Sequence, residues 1–353
     1  MRIEPEIKFD FDDVLIRPKR SVAPSRSSVD LSRGFQFRHP EQLGFPMDMF
    51  PLIASNMDAT GTFRMAGALA AEGALTCLHK HYPEKQLDEF FDPYNESSRY
   101  AFYTMGIKDD DLLQLEQALH YDRINPNCIC IDAANGYTKY FVDRVAQVRE
   151  LCPRQIIMAG NVATPEMVQE LIISAGADIV KIGIGPGSVC TTRIKTGVGY
   201  PQLSATIECA DAAHGNGGYV CADGGVRTPG DVVKAFGAGA DFVMVGGMLA
   251  GCDECDGTWV KDPDHLDKNM AFEFYGMSSE EAMNKYNGGV SDYKAAEGKC
   301  TRVPPKGPAA KVIQEIKGGL RSACAYVGAA RLKDLSKCTT FIRVNRTHNT
   351  IFS

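Results

Sequence analysis

Tyr219-Val220-Cys221-Ala222-Asp223-Gly224-Gly225, then Thr228-Pro229, then Asp241-Phe242-Val243-Met244-Val245-Gly246-Gly247 together spell one repeating unit. A short apolar run ends in glycine. Threonine followed by proline is a helix start, with the ring's fixed φ suited to the first helical position. A second run follows, apolar on both faces as a buried parallel strand is. Working outward, the same run recurs at 52–57, 74–79, 101–106, 128–133, 155–160, 179–185, 219–224 and 242–247. Helices are expected between them at 62–72, 85–91, 109–120, 137–151, 165–175, 202–214 and 228–237, with Thr164-Pro165 repeating the start signal. A last helical region spans 309–335. Eight strand–helix units predict an α/β chain folded as a (β/α)₈ barrel rather than an open sheet. The repeats take about 230 residues, close to the roughly 250 typical of that fold. Two pieces are left over: an N-terminal arm, 1–51, and an insertion, 253–308, after the eighth strand. The insertion shows little core-forming pattern and reads as a functional lid or as disorder. No interruption looks like a second domain, so 1–353 reads as a single barrel domain.

Composition bounds the function. The 353 residues carry a net charge of -6, so no overall field draws nucleic acid or an anionic membrane. No segment approaches the roughly 18 unbroken apolar residues of a membrane span. Met1-Arg2-Ile3-Glu4-Pro5-Glu6 lacks the apolar stretch of a signal peptide. Twelve cysteines, several inside apolar runs, read as reduced and buried, which points to the cytosol.

In such barrels the chemistry sits at the C-terminal ends of the strands. The sixth run opens the widest gap, through Gly183-Ile184-Gly185-Pro186-Gly187-Ser188-Val189-Cys190-Thr191-Thr192-Arg193. That loop delivers a thiol among hydroxyls, with Arg193 placed to favour a thiolate by charge. Cys190 is thus a candidate nucleophile, with an inert buried thiol as the plain alternative. Its glycines resemble a dinucleotide loop only loosely, because Pro186 intervenes and no helix follows at once. Asp223-Gly224-Gly225 and Gly246-Gly247 fall after the seventh and eighth strands, where these barrels commonly hold phosphate on bare N–H groups. Asp223 suits a ribose hydroxyl pair. Cys252-Asp253-Glu254-Cys255 has no second pair or histidine to complete a zinc site. His79-Lys80-His81 reads as an anion contact ahead of a metal site.

These stretches resemble a known family. The loop from Lys181 to Arg193, with Thr196-Gly197-Val198-Gly199-Tyr200-Pro201-Gln202, is similar to the active-site loop shared by IMP dehydrogenases and GMP reductases. Phe11-Asp12-Asp13-Val14-Leu15-Ile16-Arg17-Pro18, Ala54-Ser55-Asn56-Met57-Asp58, Phe274-Tyr275-Gly276-Met277-Ser278-Ser279, Gly318-Gly319-Leu320-Arg321-Ser322 and Tyr326-Val327-Gly328-Ala329 fit as well. Within the family the likeness is to the reductases. His79-Lys80-His81-Tyr82 runs straight into a helix, leaving no room for the regulatory modules of the dehydrogenases. Ala295-Ala296-Glu297-Gly298-Lys299 and the stretch 345–352 also look like the reductase.

The resemblance implies NADPH-dependent reductive deamination of GMP to IMP through a Cys190 thioimidate. Thr192 and Glu297 then handle the leaving group's protons. It implies a nucleotide cradle of Asp223, Gly224, Gly225, Gly246, Gly247, Gly276, Met277 and Ser278, closed by Lys294, Ala295, Ala296 and Gly298. It implies cofactor contacts from Lys80, Asp132, Ala133, Ala134, Met277 and Tyr293. Ser25, Arg26, Ser322, Ala323, Cys324 and Ala325 would come from a neighbouring subunit of a homotetramer. Gly185, Gly187, Cys190 and Arg193 would offer carbonyls to potassium. Lys294 stands where the family commonly has Arg, Ala323 and Ala325 where some members have Thr, and Arg227 where others have a small residue. The insertion holds one arginine, Arg302, and no Arg-Tyr pair of the kind the dehydrogenases use to activate water. A dehydrogenase lacking regulatory modules, a phosphate-binding isomerase or lyase, and a non-catalytic nucleotide-binding protein are the rival readings.

Overall fold

The computed structural model describes residues 1–21, 25–38, 45–46, 48–120, 124, 126–261, 270–290, 292 and 295–345. After the arm's β1 (Val14–Ile16), strands and helices alternate. They run β2 (Leu52–Ala54), α1 (Phe63–Ala71), β3 (Leu75–Cys77), α2 (Glu84–Phe90), β4 (Ala101–Met105), α3 (Asp109–His120), β5 (Cys128–Asp132) and α4 (Lys139–Leu151). The series continues β6 (Ile156–Val162), α5 (Pro165–Ile173), β7 (Ile179–Ile182), α6 (Thr192–Thr196), α7 (Gln202–Gly215), β8 (Tyr219–Asp223), α8 (Pro229–Gly237) and β9 (Phe242–Val245). β2 to β9 form a closed barrel, each strand parallel to its neighbour. β9 closes it on β2, with Ile53 opposite Met244. All eight expected strands are therefore in the barrel.

Side-chain alternation sorts the strands' residues. Ile53, Leu75, Cys77, Phe102, Cys128, Cys130, Ile156, Met158, Ile179, Cys221, Phe242 and Met244 form one buried cluster. Their neighbours of opposite parity, such as Leu52, Ala54, Val243 and Val245, pack with helices α8 and α10 (Ala309–Val327) in another. That is the period of two that a strand imposes, with one set inside the barrel and one under the helices. The arm helps close the N-terminal end. Phe35 stacks on Phe242 at 4.3 Å and meets Tyr219 edge-on at 5.2 Å, while Arg33 pairs with buried Asp241 at 3.0 Å.

Several expectations need correction. The Thr228 hydroxyl caps α8 and Asp231 reciprocates, but Thr164 makes no such cap; its hydroxyl accepts from Tyr137 instead. The region expected to be helical over 309–335 divides. α10 (Ala309–Val327) stops at Gly328, whose φ of +81° ends it, and α11 (Leu335–Cys338) and β13 (Phe341–Arg343) follow. β13 pairs antiparallel with β1. The insertion has a fold of its own: β10 (Trp259–Lys261), β11 (Met270–Tyr275) and β12 (Cys300–Val303) form an antiparallel sheet, and α9 (Glu280–Asn287) lies between β11 and β12 in the chain. Ala271, Phe272, Phe274, Ala282 and Met283 are buried there.

Candidate active site

The long loop after β7 starts with a constraint only glycine satisfies. Gly183 has φ +153°, and a Cβ there would stand 2.1 Å from the Asp223 carbonyl oxygen. The loop thereby crosses the end of β8 at backbone distance. It then tightens where the Cys190 N–H donates to Gly187 O at 3.1 Å. No helix opens directly on these glycines; the single turn of α6 begins only at Thr192.

The insertion lies along this loop as an antiparallel partner. Cys190 bridges to Gly298, the Thr191 N–H donates to Glu297 O at 2.7 Å, and the Lys299 N–H donates to Val189 O at 2.9 Å. Gly298 permits the approach, since a Cβ there would be 2.8 Å from the Ser279 nitrogen. The Glu297 N–H also donates to Ser278 O at 2.9 Å, which ties 276–279 to the same strap. The result is a hydrogen-bonded row. Thr192 Oγ1 donates to Glu297 Oε2 at 2.7 Å and lies 3.2 Å from Cys190 Sγ. A hydroxyl has one proton to give. With it directed at Glu297, the thiol proton points at Thr192, and a path runs from sulfur to carboxylate.

Arg193 does not join this row. Its guanidinium reaches back to Asp10 at 2.6 and 3.1 Å and to Tyr200 O at 2.6 Å. Arg227 likewise reaches Asp12 of the arm. The acids of the arm motif thus hold two arginines that flank the site, and the expectation that Arg193 serves the thiolate by charge is withdrawn. Thr191 also gives the thiol nothing; its hydroxyl is buried and has no hydrogen-bond partner among the described residues.

Gly224 lies against Pro186 and Gly187, and Gly247 lies against Ser188, so the loops after β7, β8 and β9 meet. Lys306 steadies this meeting by donating to the Gly247 and Met248 carbonyls at 2.8 and 2.9 Å. Met277, Ser278, Ala295 and Ala296 stand on the two segments that the strap joins. Tyr293 and Lys294 lie outside the described residues.

On the opposite side of Asp223 a charged cluster appears that the sequence reading missed. Lys181 Nζ donates to Asp132 Oδ1 at 2.7 Å, to Asp223 Oδ2 at 3.0 Å and to Asn161 Oδ1. Asn161 Nδ2 donates to Asp223 Oδ2 at 2.9 Å and to Gly183 O at 2.8 Å. Strand parity points Lys181, Asp132 and Asp223 into the barrel above Ile179, Cys130 and Cys221. Asn161 joins them because the register of β6 shifts between Gly160 and Val162. Burial alone would lower the Lys181 pKa, but Asp132 and Asp223 hold it well above its ordinary value. Burial would raise Asp132, and Lys181 with Lys80 brings it below the usual range instead. The signal available in the sequence was a lysine inside the apolar run Ile179-Val180-Lys181-Ile182; nothing flagged the bulge at Asn161.

Lys80 follows β3, and Ala133 is tied to β6 by its N–H to Gly160 O at 2.9 Å, with Ala134 next to it. His79 is held neutral by burial, which lowers its pKa to about 4, and burial lowers His81 too. The cationic character there therefore rests on Lys80. Cys252 and Cys255 are buried, with pKa values raised by burial to about 12 and about 11, as inert thiols are. Among the described residues no group of three or more His, Cys, Asp or Glu side chains is placed to hold a metal.

Arg26 meets α10, lying 5.9 Å over the Tyr326 ring, and Ser25 caps the short turn that begins at Arg26. Beside them a cavity of about 440 Å³ is lined by Ile16, Pro18, Val233, Ser322, Ala323 and Tyr326, among others. None of Cys190, Thr192 and Glu297 lines it. Ala325 is partly exposed on the same helix, whereas the Cys324 side chain is fully buried in the core.

A family model described as the IMP dehydrogenase / GMP reductase domain matches residues 8–350. The chain is 55% identical over 355 residues to proteins named GMP reductase from Edwardsiella ictaluri and Serratia proteamaculans. A GMP reductase of Shigella boydii is 55% identical over 359 residues. Each comparison covers 100% of this chain and 99% of the relative. With the barrel, the cysteine loop and the full-length match in agreement, the chain belongs to the IMP dehydrogenase / GMP reductase family.

Proposed function

We propose that this protein catalyses the reductive deamination of GMP to IMP and ammonia with NADPH, working as one barrel domain over 1–353. The observation that carries the reading is the Cys190–Thr192–Glu297 row, held in register by the insertion. Cys190 sulfur bonds to C2 of the guanine ring while its proton passes through Thr192 to Glu297. The same carboxyl returns a proton through Thr192 to the amino nitrogen. The C2–N bond then breaks, ammonia departs, and a thioimidate remains on Cys190. NADPH, when bound, would supply the hydride that C2 requires; the Cys190 sulfur then leaves C2 as the thiolate and IMP is released. Glu297 and Thr192 thus act as base and then acid, a role worth about 10²–10⁴-fold in rate.

The placement of the other residues supports the rest of the reading. Asp223 keeps Oδ1 for a ribose hydroxyl pair, since its cluster contacts fall on Oδ2. N–H groups of Gly224, Gly225, Gly246 and Gly247 suit the phosphate, and Gly276, Met277, Ser278, Lys294, Ala295, Ala296 and Gly298 the base. Lys80, Asp132, Ala133, Ala134, Met277 and Tyr293 would hold the nicotinamide half of NADPH. A carboxylate with only 27% of its side chain exposed, one oxygen already satisfied by Lys181, suits an amide or hydroxyl donor there. Ser25, Arg26, Ser322, Ala323 and Ala325 would serve a neighbour's cofactor in a homotetramer. The carbonyls of Gly185, Gly187, Cys190 and Arg193 would hold potassium. The Thr191 hydroxyl in that loop, without a hydrogen-bond partner among the described residues, fits a hard, oxygen-liganded cation. All twelve cysteines are free, which supports a reducing, cytoplasmic setting. Among the described residues no helix is long and apolar enough to cross a membrane.

The test is one pair of assays. GMP with NADPH is expected to consume reduced nicotinamide and yield IMP and ammonia in equal amounts. IMP with NAD is expected to yield no XMP. Steady XMP formation would make the protein a dehydrogenase, and no turnover in either direction would remove the enzymatic reading.

A further inference from the structure

Lys181 has only 2% of its side chain exposed, and its ammonium is shared by two carboxylates on different sides of the site. Asp132 and Asp223 both lie within 3.0 Å of the same nitrogen, with Asn161 filling a third position. Asp132 ends β5 on the side proposed for the cofactor; Asp223 ends β8 on the side proposed for the nucleotide. The surroundings offer little other compensation. Lys80 acts on Asp132 from the loop after β3, and Asn56 donates to it from the loop after β2. The layer beneath is made of thiols: Cys77 from β3, Cys130 from β5 and Cys221 from β8. Burial raises the Cys77 and Cys221 pKa values well above the ordinary thiol range, so neither supplies charge.

We infer that Lys181 is a positioning residue for the reaction: its single buried ammonium keeps the nucleotide-side and cofactor-side carboxylates charged together, in the forms that accept hydrogen bonds from their ligands. Two carboxylates this close, with the cation removed, share one proton, because like charges in a partly dry site do not both ionise. A shared proton turns one acceptor into a donor and misreads a ribose hydroxyl. The inference rests on the assignment of Asp223 to the nucleotide and Asp132 to the cofactor.

The experiment compares wild type, Lys181→Met, Lys181→Arg and the double variant Lys181→Met/Asp132→Asn. The dissociation constant for GMP is read by calorimetry between about pH 5.5 and 8.5, and carboxyl carbon shifts of ¹³C-labelled aspartate are read without ligand. Wild type and Lys181→Arg are expected to bind GMP with little pH dependence. Lys181→Met is expected to bind more weakly as pH falls, about tenfold for each unit below the new titration. The double variant is expected to lose that dependence, since one carboxylate alone has no competitor. If Lys181→Met does not fold, the double variant is expected to fold, because the buried like-charge pair is gone. A pH-independent Lys181→Met, a double variant as pH-dependent as the single, or a double variant that also fails to fold would each overturn the inference. Absence of GMP binding in wild type would instead refute the proposed function, and the carbon shifts would still report whether Lys181→Met takes up the proton.

Discussion

Three side chains, Cys190, Thr192 and Glu297, come from a loop and an insertion more than a hundred positions apart, and the backbone pairing around Gly298 aligns them. The row predicts a graded set of variants. Cys190→Ala should abolish turnover while GMP still binds, because no bond to C2 can form. Glu297→Gln keeps the shape but cannot take the proton that Thr192 relays, so kcat should fall about 10²–10⁴-fold with little change in GMP affinity. Near-normal rates in either variant, measured by consumption of reduced nicotinamide, would refute the roles given to them. At this scale the sequence was legible where chemistry is concentrated in a motif. Cys190 and Glu297 stand in stretches distinctive enough to read. Arg193 stands in the same motif and was misread, because whether a guanidinium faces a thiol or an arm carboxylate depends on where Asp10 returns in space. Lys181 was visible as a charge in an apolar strand, whereas Asn161 needed the bulge.

The elements themselves followed from period and punctuation, and the errors lie where neither operates. All eight strands are found because buried parallel strands are continuous apolar runs bounded by glycine. The sheet of the insertion was missed because β10, β11 and β12 alternate weakly and pair with one another at its edge. The insertion docks through polar groups that no periodicity reveals. Buried Asp58 accepts from Tyr275 at 2.6 Å, Tyr286 at 2.8 Å and Lys285 at 2.9 Å. Tyr286 stacks on His81 at 3.6 Å, and beside them His79 stacks on Tyr82 at 3.9 Å. This docking carries a pH dependence. His79 titrates at about 4 in the fold against 6.5 when unperturbed, because burial disfavours its charged form. The unfolded chain therefore binds the extra proton first, and stability falls as pH drops from about 6.5 to about 4, by roughly 3 kcal/mol at most. Denaturant titrations across that window should show the loss, and His79→Phe should flatten the part due to this ring. An unchanged slope in the variant would show that His79 is not the group responsible.

At the scale of the whole molecule, the residues proposed for the cofactor fall into two sets that stand apart within one chain. Lys80, Asp132 and Ala133 stand near the barrel mouth, whereas Ser322 and Ala323 line a cavity between α8, α10 and β1 that none of the Cys190 row lines. Tyr326 is largely exposed beside that cavity. An apolar recess flanked by an exposed aromatic ring is suited to the flat end of a nucleotide reaching over from another subunit. A mixing experiment follows. Cys190→Ala subunits lack the nucleophile but keep the α10 face. Ser322→Trp subunits keep the nucleophile, and the indole fills the recess. Each alone should be inactive. On the proposed shared site, a working site takes one intact feature from each of two subunits, so co-expression in equal amounts should restore about a quarter of the wild-type activity per site. If every site were built within one chain, no mixture would exceed the sum of its inactive parents. Light scattering on the same samples checks that hybrids form, and hybrids that form without regaining activity would place the entire cofactor site inside a single subunit.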